Sequence, residues 1–111
     1  MSTGNRIVRW AEAVPVEMIS GLVRRTLAET AGAMMVEFRA ETGVQIPVHC
    51  HPYQQVGYVV SGRVALTIDG VRTVCDPSDS YAIPGDVAHD AMFLAPSIVV
   101  DCFSPPRKDY R

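Results

Sequence analysis

The sequence predicts an all-β domain, either closed into a barrel or folded as two packed sheets. Three observations carry that expectation. Short runs rich in large and β-branched apolar residues recur along the chain. Turn chemistry separates them at regular intervals. The one stretch with helical character is interrupted in its middle by a glycine.

That stretch is "VEMISGLVRRTLAET" (16–30). Gly21 breaks it, and its Ile, Val and Thr residues lower its helix propensity. It is read as two short strands around Gly21. "GAMMVEFRA" (32–40) follows, then "QVGYVV" (55–60), leading to Gly62. "RVALTI" (63–68) runs into Asp69-Gly70, a tight-hairpin signal, and "VRTVC" (71–75) returns from it. "SYAIP" (80–84), "DAMFLA" (90–95) and "SIVVDCF" (97–103) complete the series. Pro77-Ser78, Pro84-Gly85 and Ala95-Pro96 punctuate it. The expected organisation is a single domain, 1–111, with N-terminal strands within 1–31. The Pro-rich, charged tail at 104–111 is either disordered or folded back across an opening.

Composition narrows the function classes. With 48% apolar residues in 111, the chain can bury a core. Net charge is −2, and apart from the pairs Arg24-Arg25 and Arg107-Lys108 the basic residues are scattered, which argues against nucleic acid as a partner. No apolar run approaches the ~20 residues of a membrane span. The start, "MSTGNRIVRWAEAV", has no continuous apolar core of a secretory leader. Three cysteines, Cys50, Cys75 and Cys102, do not suggest a disulfide framework, so a reducing, cytoplasmic setting is expected.

The chemistry concentrates in "PVHCHPYQQ" (47–55). In an extended chain, side chains two apart share a face, with Cα atoms about 6.6 Å apart. His49 and His51 therefore suit one ion, and Cys50 points away. Gln55 lies about 13 Å beyond His51 in a straight strand. Pro52 supplies a break, and a bend there brings back either Gln54 or Gln55. His89 follows the Pro84-Gly85 turn, so every histidine falls at a strand edge beside a turn.

These residues resemble the cupin family. The first cupin motif is Gly, five residues, His-x-His, three or four residues, Glu, six residues, Gly. Gly43, His49, His51, Gln55 and Gly62 match its spacing, with Gln55 in place of glutamate. The second motif is matched at Pro84 and His89. It departs at Ser78 and Asp86, where glycines are usual, and at Phe93, where asparagine is usual. The resemblance implies a cupin jelly-roll, a double-stranded β-helix barrel, with a metal near its mouth. A site of neutral imidazoles and an amide leaves a dication its full charge. That favours Lewis-acid work on an oxygen and disfavours a trivalent metal.

The last strand adds candidates. Val99, Asp101 and Phe103 share one face, and Val100 and Cys102 the other. An Asp in an apolar strand is costly to bury without a partner or a role. Arg24, Arg39 and Arg63 are possible ion-pair partners. If instead Asp101 faces an apolar cavity, its pKa rises toward the range useful for proton transfer. Phe103 is either core or a flat cavity wall. Arg107, beyond Pro105-Pro106, has a planar fork suited to a carboxylate if the tail folds over the mouth.

The ending "DCFSPPR", together with "HCHPYQQVGYVVSGRVALTIDG", is similar to the pectin-degradation cupins of the KdgF type. That resemblance runs from Gly32 onward. It implies His49, His51, Gln55 and His89 as metal ligands, and Asp101, Phe103 and Arg107 as functional residues. The implied reaction converts 4,5-unsaturated uronates to linear ketonised sugars, with one divalent transition metal (Ni, Zn, Mn, Fe or Co) as cofactor. The rival expectations are a cupin dioxygenase and a non-catalytic small-ligand binder. Val56, Tyr58 and Val60 form an apolar outer face opposite Gln55. That face needs cover, either from the N-terminal strands or from a second subunit; a homodimer is expected.

Overall fold

Ten antiparallel strands lie among residues 7–111, which the computed structural model describes. The expectation about the extreme N-terminus, residues 1–6, falls outside the described residues. The strands are β1 (Pro15–Ile19), β2 (Leu22–Glu29), β3 (Met34–Ala40), β4 (Gln45–His49) and β5 (Gln54–Ser61). They continue with β6 (Val64–Ile68), β7 (Val71–Cys75), β8 (Ser80–Ile83), β9 (His89–Phe93) and β10 (Ser97–Ser104). A six-stranded sheet in the order β1-β2-β3-β10-β5-β8 faces a four-stranded sheet in the order β4-β9-β6-β7. This is the expected jelly-roll. Among the described residues, no helix is long and apolar enough to cross a membrane.

The stretch with helical character folds as the β1–β2 hairpin, with Ile19 opposite Leu22 across Ser20-Gly21. The Asp69-Gly70 turn joins β6 and β7. Both residues have positive φ, 50° and 80°, as a primed two-residue turn requires. β4, at 45–49, was not separately foreseen. Pro47 sits inside it, tolerated because β4 is the edge strand of its sheet.

Strict alternation fills the space between the sheets. In β10, Val99, Asp101 and Phe103 are buried, while Val100 and Cys102 are partly exposed. In β5, Gln55 and Val59 face inward beside Gly57, and Gln54, Val56, Tyr58 and Val60 face outward. The parity of β5 thus selects Gln55 over Gln54 as the inward-facing glutamine. Val36, Val59, Val64 and Phe93 are almost wholly buried and join the two sheets into one core.

The outer face of β2 and β3 is partly covered. Trp10 lies under the guanidinium groups of Arg25 and Arg39, at 3.9 and 4.6 Å from its ring centroid. Its indole N–H donates to Glu37 Oε1 at 2.8 Å. On β5, by contrast, Val56, Tyr58 and Val60 are 56%, 47% and 48% exposed, so the described N-terminal strands leave that face largely open.

Candidate metal centre

His49 ends β4 and stands directly opposite His89, the first residue of β9. Their ring centroids are 4.2 Å apart. His51 lies beyond the end of β4, in a bend, with its ring 5.0 Å from that of His89 and 5.8 Å from that of His49. The three histidines offer nitrogens that all lie within 4.8 Å of one another. The expected sharing of one strand face therefore does not describe the convergence, because the ladder stops at His49. Cross-strand pairing and a docked turn bring the rings together instead. The His51 carbonyl accepts from the Asp86 N–H at 2.8 Å. A Cβ on Gly85 would lie 2.6 Å from the Pro52 carbonyl oxygen, so the Pro84-Gly85 turn packs directly under the Pro52 bend.

Backbone carbonyls set the tautomers. Nδ1 of His49 faces Pro47 O at 2.9 Å, that of His51 faces Tyr53 O at 3.1 Å, and that of His89 faces Val87 O at 2.9 Å. A carbonyl only accepts, so each Nδ1 carries the proton and each Nε2 keeps its lone pair. Burial holds the pKa of both His51 and His89 below the usual imidazole value, and the positive charge of Arg107 adds to the lowering. Neutral imidazoles are the form that binds a metal.

Gln55 stands beside the three histidines. Its Oε1 lies 3.1 Å from His51 Nε2. With Nδ1 of His51 protonated, these are two acceptors facing each other, an arrangement a cation between them would satisfy. The Gln55 amide favours the charged form of Asp101. An N–H₂ turned toward that carboxylate leaves the amide oxygen toward the imidazoles. The residues present therefore fit a divalent ion bound by three nitrogens and one neutral oxygen. Cys50 is exposed and points elsewhere.

The same cavity, of about 190 Å³, also holds Asp101, Phe103 and Arg107. Asp101 is 4% exposed, and burial pushes its pKa up to about 7 against the pull of the Tyr81 and Gln55 hydrogen bonds. The arginines considered as its partners are engaged elsewhere: Arg24 with the Tyr110 carbonyl, Arg39 with Glu37, and Arg63 with Asp76. Phe103 is both core and wall. Its ring is edge-on to His51 and to Tyr110, at 5.9 and 5.6 Å.

The tail folds back over the opening. Arg24 Nη1 donates to the Tyr110 carbonyl at 2.7 Å, the Thr26 hydroxyl donates to the same oxygen, and Arg111 pairs with Glu29 at 3.0 Å. Arg107 then lies 3.9 Å above the Tyr110 ring, with Phe103 and Tyr53 at 5.1 and 5.2 Å. Asp109 accepts from its Nε and Nη2 at 3.3 and 2.9 Å. That side-on grip leaves the Nη1 end of the fork open.

Sequence reasoning missed Tyr81 and Tyr110. Tyr81 donates its hydroxyl to Asp101 Oδ1. The signal for it was Gly57, a glycine inside an apolar strand, which marks close approach by another group. Tyr110 had no comparable signal.

A family model described as "Cupin domain" matches residues 36–95. The chain is 27% identical over 96 residues to "Pectin degradation protein KdgF" of Dickeya dadantii (strain 3937), covering 85% of this chain and 87% of that protein. Among solved structures, KdgF from Halomonas sp. superposes with a TM-score of 0.92 at 29% identity, over 97% of this chain and 100% of that one. An RmlC-like cupin from Shewanella frigidimarina NCIMB 400 superposes with a TM-score of 0.93 at 31% identity, over the whole of both chains.

Proposed function

The chain belongs to the cupin family, and from that premise we propose that it is a metal-dependent enzyme that opens and ketonises 4,5-unsaturated uronates from pectin or a related polyuronide. One observation carries this reading. Three Nε2 lone pairs, a neutral amide oxygen, a buried carboxyl with raised pKa and an arginine with an open fork line a single small cavity. The similarity to two KdgF proteins supports the substrate class. The cavity volume is below the ~300–1,000 Å³ typical of drug-sized ligands, which suits one sugar ring.

His49, His51, Gln55 and His89 hold the metal, which supplies positive charge against oxygens that become negative during reaction. Arg107 takes the substrate carboxylate on its open Nη1 end. Phe103 packs against the ring. Asp101, at a pKa near neutrality, accepts the proton of the anomeric hydroxyl as the bond from C1 to the ring oxygen breaks. The products of that step are an aldehyde at C1 and an enolate at C5, with the proton on Asp101. Asp101 then gives that proton to C4 of the enolate, leaving a ketone at C5. No electrons are gained or lost overall. The subunit pairs with a second copy through the exposed outer face of β5, where Val56, Tyr58 and Val60 lie in a row.

The test is loss of the unsaturated uronate's ultraviolet absorbance with purified protein, before and after chelation and after adding back single divalent metals. Turnover that stops on chelation and returns with metal is expected. A metal-loaded protein that leaves every such substrate untouched refutes the reading.

A further inference from the structure

We propose that Tyr81 is the positioning residue for Asp101, holding one carboxylate oxygen so that the other meets the substrate. The inference rests on the reading above, in which Asp101 moves the proton. Its geometry comes from three adjacent strands. Asp101 of β10 is in register with Gly57 of β5, and Gly57 with Tyr81 of β8. The Tyr81 ring crosses over Gly57, and its hydroxyl donates to Asp101 Oδ1.

Gly57 is the condition for that crossing. A Cβ there would lie 2.1 Å from Asp101 Oδ1 and 2.2 Å from the Tyr81 ring, so a side chain at 57 and the phenol–carboxylate contact exclude each other. Any residue larger than glycine also gives a more regular strand. The lack of a side chain on this interior strand fits the contact it permits.

The choice of donor has a chemical consequence. The last torsion of an aspartate is soft and roughly two-fold, so an unanchored carboxylate samples a wide arc. The Tyr81 hydroxyl pins it through Oδ1, with the Gln55 amide beside it, and in this proposal Oδ2 exchanges the proton with substrate. A cation in the same place would anchor the group equally well but would hold it permanently ionised. A phenol positions it and still lets it take a proton.

Tyr81→Phe tests this, because it keeps the ring over Gly57 and deletes the hydroxyl alone. The expected result is a kcat lower by roughly 10- to 100-fold with KM unchanged. Thr73→Val, which removes an exposed hydroxyl on β7 of the other sheet, leaves kcat at the wild-type value. Gly57→Ala reproduces the kcat defect by a separate lesion; where it does not fold, Tyr81→Phe carries the test. Crystal structures of wild type and Tyr81→Phe give a readout independent of turnover, with the Asp101 carboxylate turned or split in the variant. A wild type inactive on all unsaturated uronates sinks the functional reading and leaves the carboxylate's orientation as the deciding result. A Tyr81→Phe enzyme with wild-type kcat, or one whose Asp101 keeps its orientation, overturns the proposal.

Discussion

Two buried acids sit on neighbouring strands of the same sheet and point to opposite faces. Glu37 of β3 faces outward, and Asp101 of β10 faces the cavity. They are 8% and 4% exposed, so burial alone does not separate them. Their partners do. Glu37 accepts from the Trp10 indole and from Arg39 at 2.9 Å, with Arg25 stacked on the same indole. Asp101 has neutral donors, a phenol and an amide. A carboxylate matched by a cation is a structural joint. One held by neutral donors in a buried site has its pKa pushed to about 7 and can exchange a proton.

Substitutions at the two acids should therefore separate chemistry from stability. The largest effect is expected from Asp101→Asn, which keeps the shape and the Tyr81 contact but removes the proton acceptor. Turnover should fall on the order of 10²- to 10⁴-fold with bound metal per subunit unchanged. Metal content measured beside initial rates decides it; wild-type rates would place Asp101 with Glu37 as a structural acid.

Arg107→Ala comes next. The fork is aimed by Asp109 and stacked on Tyr110, so its removal should raise KM roughly 10-fold and alter kcat much less. A matched pair of ligands, galacturonate and its methyl ester, sharpens the point. Calorimetry should show the wild type preferring the free acid and the variant making no distinction.

Glu37→Ala should do the reverse of Asp101→Asn. Loss of the indole and guanidinium hydrogen bonds is expected to lower unfolding free energy by about 2 kcal/mol, read by urea denaturation, with kcat per folded molecule intact.

The smallest effect is a pH slope. Burial holds the folded-state pKa of Asp101 above the ordinary aspartate value of 3.8. Between the two, the native state binds more protons than the unfolded chain, so this residue's contribution to stability is lost as pH rises toward about 7. With chelator present, the stability of Asp101→Asn relative to wild type should climb from about pH 4 to about pH 7 and level off above. A flat difference across that range would show that the carboxyl ionises as freely in the folded protein as in water.

Much of the fold was legible because its signals are local. Alternation along β10 placed Asp101 and Phe103 on one face and Cys102 on the other, and the structure keeps that parity. Asp69-Gly70 marked its hairpin, and Gly21 marked the break that turned an apparent helix into β1 and β2. The histidine spacing singled out residues that do converge, but not through the shared strand face expected of them. His51 lies past the end of β4, and His49 meets His89 through the sheet instead.

The chain by itself determined which side chains face in, where it turns, and which neutral donors are available for a cation. All of these depend on a two-residue period or on a single dihedral preference, which act between neighbours in sequence. Tertiary structure alone decided that β5 lies between β10 and β8, so that a phenol can cross a glycine to reach an aspartate. It also decided that Arg24, on β2, holds the Tyr110 carbonyl and with it the segment that aims Arg107. Strand order and tail docking are set by which surfaces bury best against each other across the whole domain, and no local pattern encodes that sum.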